Sequence, residues 1–102
     1  EVYTDWREVV DRDDIDAIDL ATHPRPHREI AVAAAESGKH IFVEKPMCRN
    51  VAEADAMIAA ADKAGVLLQV AYMIRFNPNF QKLKEILDDG TLGKPLMIYC
   101  NQ

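Results

Sequence analysis

Short apolar segments alternate with helix-like segments along this chain, and that alternation most restricts its fold. The apolar segments begin near residues 15, 41, 66 and 96, and a stretch of helical periodicity follows each of the first three. Strands joined by single helices form βαβ units, in which the strands run parallel and the crossovers are right-handed. The spacing therefore predicts an α/β fold whose parallel strands are covered on both faces.

Turn and cap residues set the expected bounds of these elements. Asn50 followed by Glu53 is the start signal of a helix, and Gly38 and Gly65 stand where a left-handed C′ residue ends one. We expect helices over 5–11, 26–37, 51–64 and 78–90, and strands over 15–21, 41–43, 66–72 and 96–100. The last helix carries an apolar face that we expect in the core: Phe80, Leu83, Ile86 and Leu87.

Composition excludes several classes of function. The 102 residues suit one domain or part of one, and the net charge of −5 argues against a nucleic-acid partner. No apolar run approaches the roughly 20 residues of a membrane helix. Cys48 and Cys100 lie in no CxxC or zinc pattern, so we expect reduced thiols in the cytoplasm, with a disulfide between them as the alternative.

Polar side chains follow each of the first three predicted strands. Ligands of open α/β sheets bind at the carboxyl ends of the strands, so these loops are expected to form one site. The candidates from the three loops are Thr22, His23 and His27; Glu44, Lys45 and Pro46; and Tyr72, Arg75, Phe76 and Asn77.

Lys45 and Glu44 each allow two interpretations. Lys45 could hold a negative charge or shuttle a proton, or it could be a solvated lysine at the end of a strand. Glu44 could orient Lys45 or bind a ribose hydroxyl, or it could be a plain surface carboxylate.

The roles of His23, His27 and Arg75 are also left open by the sequence. His23 and His27 have the spacing of a helical metal pair, but intervening prolines and the lack of a third ligand argue against metal. His27, in the first turn of a helix, could contact an anionic or ribose group or pack under the loop. Arg75 could pair with a phosphate or carboxylate, or with an acid of the protein.

Three motifs together resemble the Gfo/Idh/MocA oxidoreductases, the family of glucose–fructose oxidoreductase and inositol dehydrogenase. They are Thr-His-Pro-Arg-Pro-His at 22–27, Gly-Lys-His-Ile-Phe-Val-Glu-Lys-Pro at 38–46, and Arg-Phe-Asn-Pro at 75–78. The resemblance implies an NAD- or NADP-binding Rossmann domain followed by an α/β domain. It also implies hydride transfer between nicotinamide and a hydroxyl-bearing carbon of a polyol or sugar-like substrate, in a homo-oligomer.

The same resemblance implies roles for individual residues. Lys45 corresponds to the catalytic lysine at the substrate hydroxyl, and Pro46 to a proline that can follow a cis peptide. The cofactor-binding positions would be Thr22, His23, His27, Glu44, Lys45, Pro46 and Arg75.

The resemblance covers only part of a whole enzyme. We expect residues 1–94 to be the C-terminal half of a doubly wound Rossmann sheet, without its glycine-rich first βαβ unit. Residues 95–102 would begin the next domain, and the isolated chain would be inactive and associate through its open edge. A non-catalytic dinucleotide-binding or regulatory module is the alternative function.

Overall fold

Residues 1–99 are described by the computed structural model, in which the chain divides into two compact units, and the second begins at Tyr72. The predicted domain boundary after residue 94 stays a prediction. The first unit holds α1 (Trp6–Val10), β1 (Ala17–Leu20), α2 (Pro24–Glu36), β2 (His40–Val43), α3 (Val51–Ala64) and β3 (Leu68–Val70). The second holds a 3₁₀ helix (Met73–Phe76) and α4 (Pro78–Asp88).

The three strands form a parallel sheet in the order β1-β2-β3, which confirms the predicted α/β fold. Their register places apolar side chains in two rows across one face. One row is Ile18, Ile41 and Leu68, and the other is Leu20, Val43 and Val70. The core lies between these rows and α2, whose small residues permit close approach to the sheet.

Cover on both faces of the sheet was expected, and residues 1–99 supply the helices of one face. Asp19, Phe42 and Gln69 alternate with the buried positions and are exposed. The strands follow one another in chain order without a reversal. Two successive crossovers of the same hand then fall on the same side, so α2 and α3 pack beside each other on one face.

The first helix of the predicted βαβ pattern begins earlier than expected, at Pro24 rather than Pro26. The first four N–H groups of a helix have no partner within it, so two prolines fit in its first turn. The helix ends as predicted, with Gly38 in the left-handed region at a φ of 74°. The loop after β1 is correspondingly short.

The other bounds differ from the prediction at the strand ends. Strands β1 and β3 are shorter than predicted, because each pairs with β2, which has only four residues. Helix α3 spans the predicted residues, and the Asn50 side chain accepts from Glu53 N at 3.0 Å. The Glu53 carboxylate accepts from Arg49 N at 3.0 Å rather than from the cap residue itself.

Two predictions about the second unit are wrong. Residues 96–99 form no strand, and Leu96 is 93% exposed; Cys100 lies outside the described residues. A strand needs a neighbouring backbone to satisfy its N–H and C=O groups, and within the described part of the chain no backbone pairs with residues 96–99. The apolar face of α4 is not core: no residue of α4 is buried, and Phe80 and Leu83 are about two-fifths exposed.

Candidate active site

Strands β1 and β2 end at the same level, so the loops that follow them begin side by side. Leu20 pairs with Val43 in the register, and Glu44 N donates to Leu20 O at 3.0 Å. On the other side, Ala71 N donates to Val43 O at 2.8 Å. The main chain that carries Glu44 into the loop is therefore held by both neighbouring strands.

The side chain of Lys45 is available to a ligand. The residue is exposed, and its Nζ has no hydrogen bond or ion pair with any of residues 1–99. Its backbone N–H donates to Glu44 Oε2 at 2.9 Å, and its peptide bond to Pro46 is cis. Glu44 is half-buried, so its carboxylate orders the main chain of this loop rather than pairing with the Lys45 ammonium.

The loop after β1 offers two further exposed polar side chains. The Thr22 hydroxyl donates to His23 O at 3.3 Å. His23 occupies the N-cap position of α2, but its side chain makes no capping hydrogen bond. Both side chains are exposed at the edge of the sheet where Lys45 lies.

His27, in contrast, is fully buried beneath these loops. Its Nε2 lies 3.1 Å from Thr22 O, and its Nδ1 lies 3.1 Å from Met47 O. Of the two interpretations left open by the sequence, the geometry matches packing under the loop. The contact with Met47 could not be read from the sequence, because it uses a main-chain carbonyl and carries no side-chain signal.

The cofactor-binding candidates are divided between the two units. Arg75 lies in the second unit, and the first unit holds Lys45 together with five others: Thr22, His23, His27, Glu44 and Pro46. Arg75 belongs to the 3₁₀ helix of the second unit, where its N–H donates to Tyr72 O at 3.0 Å. Its participation in the same site stays a prediction.

An ion pair that the sequence reasoning missed follows the Lys45 loop. The Arg49 guanidinium donates to both carboxylate oxygens of Glu53, a residue that is 8% exposed. These side-chain hydrogen bonds, together with the backbone bond from Arg49 N, lower the pKa of Glu53. The pair joins the end of the loop to the first turn of α3.

Residues 1–99 contain no group of three His, Cys, Asp or Glu side chains placed to hold a metal ion. In that range no helix has the length and apolar character needed to cross a membrane. Cys48 is a free thiol, and Cys100 is outside the described part of the chain.

A parallel α/β sheet with exposed polar side chains at its carboxyl edge is the arrangement found in Rossmann-type ligand-binding domains. The Gfo/Idh/MocA family model, described as an oxidoreductase family with an NAD-binding Rossmann fold, matches residues 1–72. The chain belongs to this family, which confirms the resemblance drawn from its motifs.

Relatives of known activity support the same assignment. A myo-inositol 2-dehydrogenase from Thermotoga maritima is 40% identical over 93 residues, which are 91% of this chain and 28% of the relative. The structure of a levoglucosan dehydrogenase with NADH and levoglucosan is 39% identical and has a TM-score of 0.82, covering 90% of this chain and 25% of its own. A levoglucosan dehydrogenase from Pseudarthrobacter phenanthrenivorans is 40% identical over 93 residues, which are 91% of this chain and 24% of the relative.

A second structure is more distant in sequence. The WlbA dehydrogenase from Bordetella pertussis, in complex with NADH and UDP-GlcNAcA, is 30% identical, with a TM-score of 0.85 over 90% of this chain and 27% of its own. The chain spans about a quarter of the length of the relatives it matches.

Proposed function

We propose that the protein carrying this chain is an NAD(P)-dependent dehydrogenase. It would transfer a hydride between nicotinamide and a hydroxyl-bearing carbon of a sugar, a cyclitol or a related small molecule. The observation that carries the proposal is the unpartnered ammonium of Lys45 at the carboxyl edge of a Rossmann-type sheet. Dehydrogenases of inositol and levoglucosan among the relatives support this class of substrate.

Lys45 is the catalytic residue in this proposal. The bound nicotinamide would supply the hydride acceptor or donor. Lys45 Nζ would hydrogen-bond the substrate hydroxyl oxygen and exchange a proton with it, which is the role of a positioned proton-transfer group. Glu44 keeps the loop main chain in place through its bond to Lys45 N.

The carboxyl edge fits one end of a dinucleotide. Thr22 and His23 present exposed polar side chains there, beside Glu44 and Pro46, and a ribose or nicotinamide carboxamide needs such donors and acceptors. Arg75 would bind the cofactor through its positive charge, as the family resemblance implies. His27 would support the same loops from below.

The finer assignments belong to the same proposal. The full-length protein would be a homo-oligomer in the cytoplasm, with residues 1–94 in its cofactor domain and 95–102 opening the next one. The isolated 102-residue chain would show no dehydrogenase activity, because it spans only about a quarter of the length of the relatives it matches.

The test is Lys45→Ala in the full-length protein, assayed with a panel of polyols and both cofactors. We expect turnover to fall by roughly 10²–10⁴-fold, the usual worth of a positioned proton-transfer group, while the Kd for the cofactor changes much less. Unchanged turnover would remove Lys45 from the catalytic role. Cofactor binding without turnover of any polyol by the unaltered protein would favour the non-catalytic binding module instead.

A further inference from the structure

An open cavity of about 450 Å³ lies between the first turns of α2 and α3. Half of the side chains that line it are arginines, although the whole chain has 17 acidic against 12 basic side chains. None of the residues proposed to bind the cofactor is among them. The lining residues are Arg25, Pro26, Arg28, Glu29, Arg49 and Glu53.

The two carboxylates of the cavity are already paired with other groups. Arg7 Nη2 donates to Glu29 Oε1 at 2.7 Å. The Glu53 carboxylate accepts from Nε and Nη2 of Arg49, which leaves Arg49 Nη1 without a partner among residues 1–99. Neither acid is therefore free to neutralise the other two arginines.

Arg25 and Arg28 carry uncompensated positive charges. Among residues 1–99, neither guanidinium makes a hydrogen bond or has a carboxylate oxygen within 4.0 Å. Arg25 and Glu29 have the four-residue spacing of a helical ion pair, yet Glu29 is held by Arg7 instead. Two guanidinium groups thus line the cavity with all their donors available.

The position of these two arginines is unfavourable for the helix that carries them. The N-terminal end of a helix is its positive end and is stabilised by acids. Helices α1 and α3 have Glu8 and Glu53 in their first turns, whereas α2 has no acid there. Arg25 and Arg28 also repel each other at a spacing of three residues. Residues that oppose local stability in this way are typical of a functional site.

We propose that this cavity binds a phosphate group, either as the free ion or as a phosphate ester. Guanidinium groups bind phosphate oxygens through two parallel N–H bonds, and two unpaired arginines match the charge of a phosphate dianion. The free Nη1 of Arg49 supplies further donors, and the N-terminal ends of two helices favour an anion between them. The proposal does not rest on the proposed dehydrogenase activity.

The first experiment follows the arginine side chains directly. The full-length protein with ¹⁵N-labelled arginine is titrated with inorganic phosphate or methyl phosphate at constant ionic strength, with NADH present to fill a dinucleotide site. Arg25→Gln and Arg28→Gln assign the two Nε–H signals by their disappearance. We expect both signals to shift and to saturate. If neither phosphate compound shifts them, the site does not exist.

The second experiment compares two variants that lose the same charge. Lys63 is an exposed cation in the last turn of α3, at the end of the helix away from the cavity, so Lys63→Gln is the matched control for Arg25→Gln. We expect Arg25→Gln to raise the Kd for phosphate by about 10-fold and Lys63→Gln to change it little. Equal weakening would show a diffuse attraction to the whole protein and overturn the site.

Thermal unfolding gives a test in which the two effects have opposite signs. Without phosphate, Arg25→Gln should have a Tm equal to or above that of the unaltered protein, because it removes a cation from the first turn of α2. With phosphate, the unaltered protein should gain more in Tm than the variant. The general stabilisation by phosphate acts on both proteins, so the difference between them reports the cavity. A variant with a lower Tm and the same gain from phosphate would identify Arg25 as a structural residue.

The two phosphate compounds distinguish the source of the ligand. Binding of methyl phosphate as tightly as inorganic phosphate identifies an ester as a ligand, and binding of inorganic phosphate alone identifies the free ion. Neither measurement uses turnover. If Lys45→Ala leaves turnover unchanged, the proposed catalytic role fails while the phosphate site is still judged by its own titration.

Discussion

The two ends of strand β2 carry a lysine each, and the two lysines are used in opposite ways. At the amino end, Lys39 is 6% exposed, and its Nζ donates to Arg12 O at 2.6 Å and to Ile15 O at 3.0 Å. At the carboxyl end, Lys45 is exposed and makes no side-chain bond to residues 1–99.

This difference separates a lysine that the fold itself uses from one whose side chain has no partner among residues 1–99. Lys39 satisfies two main-chain carbonyls, those of Arg12 and Ile15, and thereby stabilises the turn between α1 and β1. The three N–H donors of the Lys45 ammonium have no partner among residues 1–99. The main chain of Lys45, in contrast, is held by the carboxylate of Glu44. A fixed backbone with an unpartnered side chain is the arrangement expected of a ligand-binding residue.

Of the substitutions that test the contrast between the two lysines, Lys39→Met is expected to change the free energy of unfolding most. The substitution keeps the length of the side chain but leaves two carbonyls without their donor, at a cost of about 1–3 kcal/mol in the free energy of unfolding. Lys45→Met should change that free energy by less than about 0.5 kcal/mol. Urea unfolding of both variants is the measurement, and equal losses would erase the contrast.

A smaller effect is expected from Asn50→Ala at the start of α3. Its side chain accepts from Glu53 N at 3.0 Å, and loss of such a cap costs about 1 kcal/mol. Asn50→Asp keeps an acceptor and serves as the matched control in the same thermal unfolding experiment. A similar loss in both variants would show that the cap is not the stabilising feature.

The smallest expected effect is a change in how the stability of the fold depends on pH. The hydrogen bonds from Arg49 lower the pKa of Glu53 below the ordinary 4.5. The pair therefore stabilises the fold above that value, and this contribution is lost as the pH falls through the folded-state pKa. As the pH is lowered, the unfolding temperature Tm of Glu53→Gln should therefore fall less than that of the unaltered protein.

Glu8→Gln is the control for that series, because Glu8 is an exposed glutamate with no ion pair to residues 1–99. If the curve of Glu8→Gln flattens as much as that of Glu53→Gln, the Arg49 pair does not control the acid response.

Local signals were reliable where one residue type decides the local geometry. Gly65 ends α3 in the left-handed region, at a φ of 68°, where the sequence predicted a C-cap. Asp5 accepts from Arg7 N at the start of α1, as its place before the helix predicted. The cis bond before Pro46 was implied by the family resemblance rather than by any local pattern.

Predictions failed where a partner outside the segment was assumed. The apolar face of α4 was expected in the core, yet burial needs a second surface, and none covers it within residues 1–99. The strand predicted from residue 96 failed for the same reason, since apolar character alone supplies no hydrogen-bonding partner.

The sequence by itself determined the α/β class, the helix caps and the candidate residues at the carboxyl edge, because these follow from local periodicity and from which side chains end each segment. Only the tertiary structure decided that both crossovers cover one face and that Lys39 is buried while Lys45 is exposed. It also decided that His27 meets the carbonyls of Thr22 and Met47. These outcomes depend on main-chain groups distant in sequence, which no pattern of side chains encodes.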